Sequence, residues 1–360
     1  MHPSDRRQLL GQGLGLLGLA ALPRPAFAVG TAFAAGAAGA SLRVLAWPGY
    51  AEPEVVQAFE RRHGVRVELT TIDTDEAMWA RASRGDEFDV LALNTAELQR
   101  YLDAGLVQAL DAARIPNRRR QLPRFREHAR IPGLQRQGEL YAMPYTYAEM
   151  GLIYDRRRFS APPASVDALW DPRWRGQVLA YDGAAHNFSL AAQSLGLASP
   201  FRIGAADWAP AANRLIELRR NVLGFYKQPE ESVQMFREHG AALMFANYGT
   251  QQLRLLREAG AEVGYAIPRE GALAWLDCWA LTRGCRDVGL AHAWIDLQLD
   301  ELAARLLVER QGLANTLRVS EGSQGRLVWL EPVEDAARRE RLWAGIRAGR
   351  RRFEQLEAGG

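Results

Sequence analysis

The sequence predicts an α/β protein built from two sheet-bearing units. Three observations carry this. Short alternating or apolar runs recur between amphipathic helices from Leu42 onward. Residues 88–93 are almost continuously apolar, as a parallel strand covered on both faces requires. A second series of strands and helices begins near Val178 and repeats the alternation.

Taken in order, residues 42–47 alternate as a first strand and end in the turn Pro48-Gly49-Tyr50. Residues 54–62 form a helix with Val55, Val56 and Phe59 on one face, stopped by Gly64. Residues 65–69 alternate as a second strand. Residues 75–83 are a second helix with Asp75 as candidate cap. Residues 88–93 are the third strand, and 98–104 a short helix. The stretch 116–130 is rich in arginine but has only Phe125 as an aromatic, so it reads as a solvated helix face and not as a nucleic-acid surface. Residues 141–145 and 150–154 are two strand pieces with Tyr145 and Tyr147 between them. Pro162-Pro163 interrupts the chain before a short helix at 166–170.

The second unit has a strand at 178–182 ending in Asp182, helices at 187–195, 207–220 and 233–239, and a buried strand at 241–246. Asn247-Tyr248 follows that strand, then a helix at 251–259 and a strand at 263–268. Residues 274–279, Ala-Trp-Leu-Asp-Cys-Trp, are β-prone with one carboxylate. Strand alternation puts Trp275 and Asp277 on one face. An indole beside a carboxylate suits an amine: the ring attracts the cation and covers methylenes, and the carboxylate supplies charge and hydrogen bonds. Helices at 288–297 and 301–309 follow, and 329–354 reads as helical and charged.

The 360 residues are 48% hydrophobic and 24% charged with a formal charge of +3, ordinary for a globular protein. Lys227 is the lone lysine, so nearly all the positive charge is arginine. Residues 1–28 read as a cleavable export signal of the twin-arginine type. Arg6-Arg7 precedes an apolar run at 9–22, and Ala26-Phe27-Ala28 fits a cleavage site. The glycine pattern at 13–18 lies inside that signal with no strand before it, so it is no dinucleotide fingerprint. Residues 29–40 read as a flexible mature N-terminus. Export sets an oxidising context. A bond between Cys278 and Cys285 is open if the chain turns at Arg283-Gly284, and closed if the strand runs on straight.

The six histidines are scattered, and no zincin, nucleophile-elbow, phosphate-loop or metal-ligand spacing is present. The expectation is therefore no enzyme, no catalytic residues, no metal and no cofactor.

In contrast, aromatics and carboxylates recur at strand ends. Ala46-Trp47-Pro48-Gly49-Tyr50, the Phe59 helix ending at His63-Gly64-Val65, Asp75-Glu76-Ala77-Met78, Phe88-Asp89-Val90, Tyr141-Ala142-Met143-Pro144-Tyr145 and Trp275-Leu276-Asp277 follow one another over most of the chain. In this order and spacing they resemble bacterial periplasmic solute-binding proteins of ABC importers, specifically the spermidine/putrescine-binding group. The resemblance implies a two-lobe, type II periplasmic-binding-protein fold with the ligand in a cleft crossed by connecting strands. It implies lobe 1 at 41–145 plus 272–311, lobe 2 at 146–271 plus 312–360, and hinge closure on binding.

It further implies that Trp47, Tyr50, Asn94 and Thr95 line the first lobe. Trp275 and Asp277 form the central pair, with Asp277 facing an ammonium, and Asp182 and Tyr248 lie on the second lobe. Partners follow from this: a small, polyamine-like cationic ligand and a membrane permease, with no nucleic acid, for a monomer in the periplasm. The chain departs from the group at Gly183 and His186, where acids are frequent, and at Ala246-Asn247, where a Trp is usual. One amine subsite is thereby weakened. Other solutes (a quaternary amine, an amino-acid-like or a thiamine-like compound), an exported enzyme on the same scaffold and a signalling role remain as alternatives.

Overall fold

The computed structural model describes residues 40–84, 87–319 and 325–357. The expectations for residues 1–28, and for all but the last residue of 29–40, lie outside these.

β1 (Ser41–Ala46) pairs in parallel with β2 (Arg66–Thr71) on one side and β3 (Val90–Asn94) on the other. Between them, α1 (Pro53–His63) has proline in its first turn and ends at Gly64, whose φ of 65° is left-handed. α2 (Asp75–Ala82) is capped by Thr74, whose hydroxyl accepts the Ala77 N–H at 3.1 Å. The sequence reading gave that role to Asp75. Thr74 takes it, and the Asp75 carboxyl is left for other contacts. α3 (Thr95–Asp103) starts directly from β3, and β4 (Val107–Gln108) follows.

Prolines divide the basic stretch 116–130 into 3-10 turns and a single-turn α4 (Pro123–Arg126), correcting the expected continuous helix face. β5 (Gln135–Arg136) and β6 (Glu139–Leu140) make a small hairpin. β7 (Ala142–Met150) is one fully buried strand, so Tyr145 and Tyr147 lie within it and not between two pieces.

Gly151 carries the chain out of this sheet. A Cβ there would lie 2.6 Å from the Tyr265 ring and 2.8 Å from the Ala266 carbonyl oxygen, so only glycine lets the crossing backbones approach. The second sheet contains β8 (Leu152–Asp155), β9 (Val178–Tyr181), β10 (Val222–Tyr226), β11 (Leu243–Phe245) and β12 (Val263–Ala266), in the order β10-β9-β11-β8-β12. Its helices are α5 (Ala184–Ser194), α6 (Trp208–Asn221), α7 (Pro229–Glu238) and α8 (Thr250–Glu258). Period-two alternation divides its core. Val178, Ala180, Leu243 and Phe245 pack into one cluster, and Leu179, Met244 and Ile153 into the cluster on the opposite face.

From Ala266 the chain returns through β13 (Ala272–Thr282), the longest strand described. β13 runs antiparallel between β3 and β7. The first sheet has eight described strands: β14 (Ala314–Asn315), β7, β13, β3, β1 and β2 in order, with β15 (Leu327–Trp329) and β4 also paired to β13. α9 (Val288–Gln298) covers this sheet, with Trp294 edge-on to Trp279 at 6.0 Å between ring centroids. α10 (Glu301–Leu306) runs into a π turn, Leu307–Gln311, before β14 (Ala314–Asn315).

Residues 329–354 were expected to be helical. Instead Trp329 closes β15 (Leu327–Trp329), and helix begins at α11 (Ala336–Arg347), followed by α12 (Phe353–Glu357). α11 packs Leu342, Trp343 and Ile346 into the core of the second sheet. β13 ends at Thr282 and the chain does turn at Arg283-Gly284, where the Cys285 N–H meets the Thr282 carbonyl at 3.2 Å, yet both cysteines are free. The architecture is thus mixed α/β with two sheets forming two lobes, and the chain crosses between them at Gly151, at residues 267–271 and again between Trp329 and α11.

Candidate functional site

β13 would run in even register beside β7 but for Pro144, which has no N–H to give the ladder. The register slips there: Asp277 opposes Thr146 while Cys278 opposes Pro144, and Tyr145 is the extra residue of a bulge. Bulges re-aim side chains. Here Tyr145 packs edge-on to Tyr50 at 5.5 Å and donates its hydroxyl to the Tyr50 carbonyl at 3.2 Å. Tyr50 in turn donates its hydroxyl to Asp277 Oδ2 at 2.5 Å. Burial pushes the Asp277 carboxyl up to about 7, against the pull of that hydrogen bond.

Tyr50 is held by the turn after β1, where its N–H meets the Trp47 carbonyl at 3.2 Å. Gly49 makes that turn at φ 81°, a conformation open to glycine, and a Cβ there would strike the Gln311 side chain. Trp47 is half-buried against the first-lobe core, and its Nε1 is buried without a partner.

Asn94 lies opposite Asp277 at the end of β3. Its side-chain oxygen accepts the Glu97 N–H at 2.9 Å, capping α3, and its amide reaches Asp75 Oδ1 at 3.4 Å. Asp75 is pushed up to about 7 by burial and then by the charges of Glu97, Asp277 and Glu76. Glu97 is raised too, by burial, with Arg100 opposing. Thr95 is buried at the start of α3, and its hydroxyl has no partner.

The second lobe faces this group with Tyr181, Asn247 and Tyr248. Trp275 donates its indole N–H to the Asn247 carbonyl at 3.1 Å and packs against the cores of both lobes. Tyr181 lies edge-on to Tyr248 at 6.0 Å, and the charge of Asp75 adds to the burial that raises its phenol. The Asn247 side-chain oxygen is buried without a partner. Tyr248 is fixed by a 2.7 Å bond to the Lys227 carbonyl. His186 stands edge-on to Tyr181 at 5.3 Å, and burial with the nearby Arg339 holds its imidazole down at about 4, uncharged at neutral pH.

Asp182 differs from its expected part. Its carboxylate accepts the Trp343 indole N–H at 2.9 Å and sits 2.9 Å from Arg347 and 3.9 Å from Lys227. It is already answered by the protein's own cations.

The expected residues therefore fall in two groups. Tyr50, Asn94 and Asp277 meet directly, with Trp47 and Thr95 on the adjoining loop and helix start. Trp275 ties them to Asn247 and Tyr248 of the second lobe. Asp182 is turned to α11. Sequence reasoning missed Asp75 as a second carboxyl beside Asp277. The available signal was Thr74, a residue able to cap α2 in its place.

Several known proteins are similar to this chain in sequence or in fold. The putrescine/agmatine-binding protein of Pseudomonas aeruginosa is 26% identical over 353 residues, 87% of this chain and 93% of that one. The putrescine-binding periplasmic protein PotF of Escherichia coli is 26% identical over 274 residues, 72% of this chain and 73% of its own. The crystal structure of the spermidine/putrescine ABC transporter substrate-binding protein PotD of Streptococcus pneumoniae superposes with a TM-score of 0.71 at 20% identity. It covers 86% of this chain and 98% of that one. The family model described as bacterial extracellular solute-binding protein matches residues 54–319. On that match, the chain belongs to the bacterial extracellular solute-binding proteins, a family that binds solutes without turning them over.

Proposed function

We infer that this protein binds a small cationic amine in the cleft between its lobes and delivers it to the membrane permease of an ABC importer. The observation that supports the reading is the pair of carboxyls at Asp277 and Asp75. Both are held up near 7; Tyr50 bonds Asp277 directly, the charge of Asp75 reaches Tyr181, and Trp275 lies two residues from Asp277 on the same strand. A bound ammonium would answer the charge that burial now suppresses, and the rings would cover its methylenes. The printed names of the relatives, which bind putrescine, agmatine or spermidine, agree in ligand class.

Asp277 is assigned the first ammonium, and Asp75 the second charge. Both lie in the first lobe, connected through Asn94. Two carboxyls linked through one side chain, with Asp182 held by Arg347 and Trp343, favour a short diamine or guanidino-amine over a long polyamine reaching Asp182. Residues 1–28 are proposed as a twin-arginine export signal into the periplasm, which N-terminal sequencing of the exported protein tests.

One observation favours a second reading. Trp47 Nε1 and the Thr95 hydroxyl are buried donors without partners, and they would suit the carboxylate of a zwitterionic, amino-acid-like ligand.

A thermal-shift screen separates the two. Putrescine, agmatine, spermidine, choline, γ-aminobutyrate and common amino acids are each added to the purified protein. A ligand at 100 times its dissociation constant stabilises the folded state by about 2.7 kcal/mol. Shifts with the diamines carry the first reading, and shifts confined to zwitterions carry the second. No shift with any amine contradicts both.

A further inference from the structure

A second pocket, of about 240 Å³, lies on the second lobe where α6 ends and α11 gives way to α12. It is lined by Ile216, Arg219, Arg220, Arg350 and Arg351. Four arginines therefore line one small space beside a buried isoleucine.

The preceding arginine on α6, and two that line the other cavity, are met by carboxylates. One turn earlier on α6, Arg214 pairs with Asp167 and Glu217. In a larger cavity of about 460 Å³ beside α8 and α10, Arg254 pairs with Glu258 and Arg305 with Glu309. Among the described residues, none of Arg219, Arg220, Arg350 and Arg351 has a carboxylate within ion-pair distance. A favourable interaction with the carbonyl end of α6 accounts for a basic residue at its last turn. It does not account for two more arginines brought back against that turn from a separate segment.

The local structure holds them there. Gly349, at φ 93°, reverses the chain after α11. A Cβ on it would lie 3.2 Å from the Arg219 guanidinium. The Arg350 N–H bonds the Gly345 carbonyl at 3.1 Å, and its Nη1 bonds the Gln355 carbonyl at 3.0 Å. The Arg351 N–H bonds the Gln355 side-chain oxygen at 3.0 Å. These bonds tie Arg350 and the Arg351 backbone into the turn before any ligand arrives. Among the described residues, they leave most guanidinium N–H groups of the four side chains without a protein acceptor.

We propose that this pocket is an anion site for a phosphoryl group bearing more than one negative charge. Guanidinium forks match phosphate oxygens bidentately, and four of them exceed what a single carboxylate would neutralise. The chemistry is shared by a free pyrophosphate-like anion and by the headgroup of an anionic phospholipid.

The test uses the full chain and two probes at low salt. Sodium pyrophosphate is titrated by calorimetry, and co-sedimentation is measured with vesicles containing phosphatidylglycerol and with phosphatidylcholine vesicles alone. Each is repeated for Arg219→Gln/Arg350→Gln and for Arg220→Gln/Arg351→Gln. A variant with two arginines replaced elsewhere, Arg62→Gln/Arg66→Gln, controls for net charge. Melting curves establish that each variant is folded.

Wild-type and control protein are expected to bind at least one probe, with at least tenfold loss in both pocket variants. Pyrophosphate binding marks a soluble anion, and selective sedimentation with phosphatidylglycerol marks a headgroup. Two results overturn the proposal: failure of wild-type protein to bind either probe, or equal binding by wild-type, control and pocket variants.

Discussion

The hydroxyl of Tyr50 donates to Oδ2 of Asp277 across 2.5 Å, joining residues 227 positions apart in the sequence. The bond supplies an oriented partner without supplying charge. It holds the carboxyl in place while burial keeps its pKa near 7. A site of this kind is poised to ionise when a cation enters.

Amine binding is therefore expected to release protons below about pH 7, with affinity rising as the pH is raised through that value. The sign for stability is opposite. A carboxyl whose folded pKa is raised contributes most below its unfolded value near 4, and that contribution is lost as the pH rises to about 7. Ligand-free wild type should lose stability relative to Asp277→Asn over this window, by at most about 1.4 kcal/mol per pH unit. Calorimetry in buffers of differing ionisation enthalpy reads the proton release, and denaturant melts at pH 4 to 8 read the stability.

Asp182 is expected to matter to the lobe more than to the ligand. Replacing it with Asn weakens its contacts to Arg347 and Lys227 while allowing an acceptor for Trp343. The melting temperature should fall, and amine affinity should change by about threefold or less. A loss as large as that from Asp277 would assign Asp182 directly to the ligand.

Trp275→Phe keeps an aromatic face but removes the N–H given to the Asn247 carbonyl at 3.1 Å. This contact joins the lobes, so affinity should fall by about 0.5 to 1.5 kcal/mol, the usual net value of a hydrogen bond. Unchanged affinity would show that the indole N–H has no part in holding the bound form.

Asp89 tests the fold apart from the site. Its buried carboxylate takes hydrogen bonds from the Arg43 guanidinium and backbone and from the Arg286 N–H, all at 2.8 to 3.1 Å. Burial raises its pKa, but the Arg43 bonds prevail and hold it low. Asp89→Ala should cost about 3 to 5 kcal/mol in chemical denaturation by removing the buried carboxylate that neutralises the Arg43 guanidinium and accepts the Arg43 and Arg286 N–H groups. The amine affinity of the folded fraction should stay as it was.

Local pattern made much of this legible. Period two put Trp275 and Asp277 on one face of β13. The turn after β1 and the glycine after α1 were plain from residue type. The rest depended on partners remote in sequence. Asp182 looked free at a strand end because Arg347 and Trp343 lie more than 150 residues away. Residues 141–145 and 150–154 read as two strand pieces, whereas β7 runs unbroken from Ala142 to Met150 and absorbs Pro144 in the bulge beside Asp277. β10 escaped notice because its glycine interrupts the alternation where the strand itself slips register. Asp75 resembled a cap because acidic residues favour helix starts, and its neighbours Asn94 and Asp277 come from two other elements.

The central claim, that Asp277 takes the charge of an amine, is tested most directly by calorimetric titration of putrescine at pH 8 into wild type and Asp277→Asn. The expected result is binding by wild type and a loss of about 2 to 5 kcal/mol, at least 30-fold, in the variant, the range for removing one member of a buried charge pair. Equal affinity in the two proteins would contradict it.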